Sequence, residues 1–244
     1  MFEETAHRPW PLPNAPWVFS QSWHHLLFAH WPVPPDALRP LIPGGLQLDT
    51  FEGQAWLGVV PFDIRSFKLR DLVPLPFMSA FPELNVRTYV TGKDKPGVWF
   101  FSLDAASKLA VAGARAIYHL PYFNASMSVR VEGETVHYWS RRTHRNALPA
   151  EFVGTYRPTG PVYRSQPGTL DHWLTERYCL YAADRRGRLY RGEIHHHPWP
   201  LQPAEPEITT NTMAMAHGIH LPDLLPLLHY ARRLDVAMWP VYRI

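Results

Sequence analysis

The stretch ELNVRTYV (83–90) sets Glu83, Asn85, Arg87 and Tyr89 on one face of an extended segment and Leu84, Val86, Thr88 and Val90 on the other. A carboxyl, an amide and a guanidinium at i, i+2 and i+4 therefore point the same way. A pocket that handles a small polar molecule needs such a set: an acid or base, a hydrogen-bonding anchor and a clamp for an anion. The same alternation also describes a half-exposed antiparallel strand with a wet polar face, so periodicity alone leaves both readings open. If the polar face is the inner one, apolar surroundings would raise the pKa of Glu83 toward the range useful for proton transfer. Arg87 beside it would pull the other way.

Other chemistry-bearing residues carry weaker signals. His24, His25 and His30 share one β-rich segment and His195, His196 and His197 another. Alternation puts His24 and His30 on one face with His25 opposite, and pairs His195 with His197. Two histidines at i, i+2 can chelate zinc only when a third ligand arrives from elsewhere, and no HExxH-type spacing supplies one; no metal is expected. Ser102, Ser107 and Ser126 lack a G-x-S-x-G elbow, and no glycine-rich phosphate loop is present. Arg141, Arg142, His144 and Arg145 could meet an anion, but a solvated hairpin end is the plainer reading. Lys108 lies in the apolar middle of the chain, where a desolvated amine could form a Schiff base; the exposed face of an Ala-rich helix is the plainer reading.

The elements that must position these residues are short. Ser22–Trp31 reads as a strand, 33–43 as a short helix limited by Pro40, and 45–64 as a hairpin turning at Phe51-Glu52-Gly53. Residues 65–80, with two prolines, read as a loop over a pocket. The 83–90 strand turns at 92–97 into VWFFSL, which runs to Asp104. An Ala-rich helix follows, and Leu120-Pro121-Tyr122 turns into another strand. Hairpins are predicted over 126–142 and 179–197, a strand over 151–158, a short helix over 169–177, helix over 208–216, and a closing pair of short strands over 227–244.

The 244 residues include 26 prolines, 46% hydrophobic and 18% charged residues, and a net charge of +3. So many prolines exclude long uninterrupted helices. The basic residues are scattered, which argues against a nucleic-acid partner. Cys179 is the sole cysteine, so no internal disulfide or cysteine-based metal cluster can form. No run of about 18 apolar residues suggests a membrane span, and MFEETAHRPWPLP lacks the organisation of a signal peptide. A single cytoplasmic domain over 1–244 is expected, with a proline-rich arm over 1–17 packed on its surface. Many antiparallel strands with a few short helices give the fold class as α+β, built on a curved antiparallel sheet or partly closed barrel.

The segment LDAASKLAVAGARAIYHLPYFNAS (103–126) resembles the part of acetoacetate decarboxylases that carries their Schiff-base lysine. ALRPLIPGGLQLD (37–49) and MAMAHGIHLPDLLP (213–226) resemble further segments of that family. LLFAHWPVPPDALRPLIP, FPELNVRTYV, GVWFFSLDAASKLAV and LPYFNA, in this order over about residues 20–243, look like the uncharacterised YqjF-like family of the acetoacetate decarboxylase-like superfamily. The resemblance implies a mostly antiparallel, cone-shaped β-barrel with flanking short helices and a central pocket. It does not carry the decarboxylase chemistry across: Tyr122 and Phe123 stand where that family has its lysine pair, and neither can form an imine. A family glutamate falls near Gly58 and a family arginine near His24 or His25; only the pocket glutamate is matched, by Glu83.

The candidate catalytic residues are therefore Glu83 and Tyr122, with Arg87, Asn85, His25, Trp99 and Phe123 as ligand-binding candidates around an apolar pocket. No cofactor is called for. The partner expected is a small organic molecule, a carboxylate or carbonyl compound, and exposed aromatics could serve a homo-oligomer. Two alternatives stay open: a non-catalytic sensor or structural protein whose barrel is filled by Tyr122 and Phe123, and an imine-forming enzyme using Lys108.

Overall fold

A computed structural model describes residues 2–70 and 80–244. Strand β1 (Phe19–Val33) leads into helix α1 (Pro35–Leu38) and a 3-10 turn over Arg39–Leu41. Then come β2 (Gln47–Leu48), β3 (Ala55–Leu69), β4 (Phe81–Gly92), β5 (Lys95–Ala105) and helix α2 (Lys108–Ile117). The middle of the chain holds β6 (Tyr122–Glu132), β7 (Thr135–Arg142), β8 (Glu151–Pro158) and helix α3 (Leu170–Thr175). It closes with β9 (Cys179–Ala183), β10 (Leu189–His195), β11 (Gln202–Asn211), a 3-10 turn over Met215–His217, β12 (Leu227–Met238) and β13 (Tyr242–Arg243).

Among the described residues all thirteen strands belong to one sheet, and pairings run in a complete circuit, β5-β6-β7-β8-β11-β12-β1-β3-β4 and back to β5. Most pairings are antiparallel; β5 pairs in parallel with both β6 and β9. The parallel β5–β6 pair exists because α2 provides the crossover that a parallel connection requires. Ser107 caps that helix by accepting from the Ala110 backbone N–H at 3.3 Å, and its alanines favour the helical state. The β4–β5 connection is a two-residue turn with Lys93 and Asp94 at φ 48° and 66°, the left-handed pair that matches strand twist.

The central strands bury both faces. Leu26 and Phe28 of β1, with Val60 and Phe62 of β3, join one apolar cluster. Leu27 and Ala29, with Leu57 and Val59, join another. Doubly buried strands read as near-continuous apolar runs, as LLFA (26–29) and LGVV (57–60) do. On β4 this leaves no wet face: the polar stripe of Glu83, Asn85 and Arg87 is buried along with the apolar one.

Several elements differ from the sequence reading. The 45–64 hairpin does not form: a bridge between Phe51 and Gln54 marks the turn, but β2 pairs with β4. Residues 208–216 are not a helix; β11 runs to Asn211, where Ile208, Thr209 and Thr210 suit a half-buried strand. The closing segment is one twelve-residue strand, β12, and a two-residue strand after Pro240. β3 extends to Leu69, into the expected loop, of which 71–79 lie outside the described residues. The N-terminal arm is more than a surface cover, because buried Arg8 donates to the Ile194 carbonyl at 2.7 Å and pairs with Glu193 at 3.5 Å. Among the described residues helices are few: besides α1 and α3, of four and six residues, only α2 reaches ten.

Candidate functional site

A cavity of about 280 Å³ lies on the inner face of β1, β3, β4 and β5, with α2 along one side. Glu83, Asn85, Arg87 and Tyr122 all line it; His25, Trp99, Phe123 and Lys108 do not. Apolar walls come from Trp23, Phe62, Phe100, Leu103 and Trp199, with Trp23 and Trp199 stacked at 5.7 Å and 18°. The polar stripe of β4 thus crosses an otherwise greasy chamber.

At one end the Tyr122 hydroxyl donates to Glu83 Oε2 at 2.9 Å. Their strands are brought together by β5, which pairs Ala105 with Glu83 and Leu103 with Tyr122. Behind them the Tyr138 hydroxyl donates to the Glu83 carbonyl at 2.7 Å, fixing this stretch of β4. The Glu83 residue is 3% exposed. Burial pushes its carboxyl up to about 8, the Tyr122 hydrogen bond offsetting part of that rise and Asp104 adding to it. Asp104 is itself bonded twice to Arg142, at 2.7 and 2.8 Å; burial raises its carboxyl above the ordinary value, and Arg142 offsets part of that rise. Burial, and then the neighbouring Glu83, hold the Tyr122 phenol well above its ordinary value, so Tyr122 is a donor throughout the physiological range.

The other end is cationic. Arg87 is 9% exposed, donates to the Leu174 carbonyl at 3.3 Å and stands 5.1 Å from the Phe28 ring centroid. Arg177, 5% exposed, follows α3 and also lines the cavity; it pairs with Asp49 at 2.7 Å and donates to the Trp173 carbonyl at 2.6 Å. Room for Arg87 depends on Gly58, which sits opposite it on β3 and opposite His30 on β1. A Cβ at Gly58 would lie 3.0 Å from the His30 ring and 3.4 Å from Arg87 Cγ. Burial, then Arg87, keeps His30 well below its ordinary value, so this row adds no second charge.

Two of the outlying candidates are displaced by β-bulges. In β1 an extra residue enters between His24 and Ala29 relative to β3, with His25 at φ 50°. Trp23 and Leu26 therefore both face the cavity, and His25 bonds Tyr230 at 2.9 Å on the far side. In β5 the register shifts opposite Val86 and Arg87; Phe100 takes the inner position that alternation from Leu103 would give Phe101, and Trp99 packs in a separate cluster with Val90 and Tyr181. Phe123 simply follows Tyr122 and points the other way, its ring 4.1 Å beneath the Arg142 guanidinium. The pair does not fill the cavity. Lys108 opens α2 on its exposed side, and among the described residues no lysine lines the chamber. Among the described residues no group of three or more His, Cys, Asp or Glu is placed to hold a metal ion.

The sequence reading missed Arg177, Phe100 and Trp199. Arg177 carries no local signal, since a lone arginine after a short helix ordinarily serves the helix end.

A strand-rich sheet with this topology is the fold of acetoacetate decarboxylase-like proteins. An acetoacetate decarboxylase from Legionella pneumophila superposes with a TM-score of 0.62 at 14% identity, over 98% of this chain and 93% of that one. The enduracididine biosynthesis enzyme MppR complexed with pyruvate gives 0.65 at 13% identity, over 97% and 93%. At such identity the likeness is one of fold. The chain belongs to the DUF2071 family, described as an uncharacterized conserved protein, whose model matches residues 20–235. It is 48% identical over 241 residues to the uncharacterized protein YqjF of Bacillus subtilis (strain 168), covering 99% of this chain and 98% of that one.

Proposed function

We propose that the chain binds a small organic molecule in the chamber between Glu83 and Arg87, and that Glu83 exchanges a proton with it. The observation that carries this reading is the Glu83–Tyr122 pair at 2.9 Å in the wall of an apolar cavity. With its carboxyl raised to about 8, Glu83 is a neutral acid at pH 7 that can give up its proton and take one back near the working pH. Tyr122 serves as hydroxyl donor to whichever oxygen carries charge, and Asn85 and Arg87 serve as anchors. Chemistry without an imine is supported by the cavity wall, which holds no lysine among the described residues. The MppR structure with pyruvate fits a carbonyl compound as ligand.

The same reading takes the circuit of strand pairings as a closed barrel and the chain as one cytoplasmic domain. Among the described residues no helix is long and apolar enough to cross a membrane.

Occupancy is tested by closing the chamber. Gly113 of α2 lines the cavity and has nothing within 4 Å of where a Cβ would stand. Gly113→Leu is expected to fold at least as well as the parent, since leucine favours helix over glycine by roughly 0.5–1 kcal/mol. It is expected to lose binding of carbonyl and carboxyl ligands detected by saturation-transfer NMR. Undiminished binding in Gly113→Leu would place the ligand elsewhere.

A further inference from the structure

Two buried guanidinium groups share one end of the chamber, and among the described residues only one carboxylate answers them. Arg177 pairs with Asp49; among the described residues Arg87 makes no ion pair, and its side chain is met by the neutral Leu174 carbonyl and Tyr89 hydroxyl. The guanidinium carbons of Arg87 and Arg177 stand 5.7 and 4.8 Å from the centroid of one ring, Tyr89, which puts them at the same end. Each keeps a buried donor without a hydrogen-bond partner, Nε of Arg87 and Nη2 of Arg177. Asn85 Oδ1, next along the stripe, is also buried without a partner. Arginine cannot shed its charge in compensation, and an unpaired buried cation is among the costliest groups a fold can hold. An arrangement of this kind is complementary to an anion.

We infer that the ligand is a monocarboxylic acid whose carboxylate is taken by Arg87 and Arg177, with an apolar, preferably aromatic, body lying between Trp199 and Phe100. This inference rests on the proposed function and narrows it to a substrate class. One negative charge suffices, because two guanidinium groups less one Asp49 carboxylate leave a single positive charge. The size follows from the volume: 280 Å³ at about 30 Å³ per water equals about nine water equivalents, so a body of about ten non-hydrogen atoms fits. The reach follows from β4, whose four-residue step from Glu83 to Arg87 spans about 13 Å at about 3.3 Å per residue. An acid held at Arg87 therefore presents its opposite end, or a carbonyl along its chain, to Glu83 and Tyr122. Arg177 becomes a specificity residue that selects acids over their neutral relatives.

The experiment compares 3-phenylpropanoate and straight-chain acids of similar size with their amides and alcohols, by calorimetry and by quenching of the cavity tryptophans. The parent protein is expected to bind acid at least tenfold more tightly than amide, and Arg87→Met to lose that preference while still binding the amide. Arg177→Met should lose it as well; because that change strips Asp49 of its partner, Arg87→Met is the variant that decides if Arg177→Met fails to fold. Equal affinity for acid and amide in the parent overturns the carboxylate inference and leaves the proposed function standing. No binding by any acid, amide or alcohol overturns both.

Discussion

Replacing Glu83 by Gln should make the protein more stable, and only at neutral and alkaline pH. A carboxyl whose midpoint moves from 4.5 in the unfolded chain to about 8 in the folded one loses about 1.4 kcal/mol of folding free energy per pH unit across that interval. The sign follows from proton counts. Between pH 4.5 and 8 the folded protein still holds the Glu83 proton that the unfolded chain has released, so raising the pH favours unfolding. Below 4.5 both states hold it; above 8 neither does, and the loss levels off at about 5 kcal/mol. Against the 5–15 kcal/mol typical of whole domains that is a large fraction. Glutamine keeps an oxygen to accept from Tyr122 and removes the titration. The assay is urea unfolding of parent and Glu83→Gln from pH 4.5 to 9, taking the difference so that the buried histidines, common to both, cancel. The variant's advantage should be near zero at the acid end and grow to several kcal/mol at pH 9. A difference that does not change with pH would refute the argument that Glu83 is protonated in its apolar surroundings.

Tyr122→Phe removes the hydrogen bond that holds Glu83 down, so the Glu83 carboxyl should titrate higher than in the parent, as followed by carboxyl ¹³C NMR. Arg142→Met strands Asp104, which is fully buried and bonded twice to that guanidinium; a loss of about 3–5 kcal/mol in denaturant unfolding is expected. Gly58→Ala sets a methyl 3.0 Å from the His30 ring and should cost about 1–3 kcal/mol, with reduced ligand binding because Arg87 is pushed as well.

How much of this could be read from the chain depends on strand parity. The β4 stripe was legible because Glu83, Asn85 and Arg87 alternate without interruption and the element carries no inserted residue. Whether that stripe faced water or a cavity was not legible, since the answer lies in what β1, β3 and β5 set against it. Parity also accounts for the errors. A bulge at His25 and another in β5 each advance the strand by one residue, turning His25 and Trp99 outward and Leu26 and Phe100 inward. Such insertions leave no mark in composition; the positive φ of His25 is visible only in three dimensions. Phe123 was misplaced for a simpler reason, as neighbours on one strand cannot share a face. Arg177 lies 90 residues from Arg87 in sequence and meets it only through tertiary packing, so no local pattern could pair them. The short segments went wrong where propensity was ambiguous: 208–216 has both helix-compatible alanines and a β-branched run, and the sheet claimed the latter.

The central claim, that Glu83 exchanges a proton with a molecule bound in the chamber, is tested most directly by solvent exchange. Carbonyl-bearing acids of about ten non-hydrogen atoms would be incubated with the protein in D₂O near pH 8, and loss of the signal of protons next to the carbonyl followed by ¹H NMR. The account predicts protein-dependent exchange that falls about a hundredfold or more in Glu83→Gln, the usual scale for a positioned acid–base group. Exchange no faster than in buffer, or equally fast in Glu83→Gln, would contradict it.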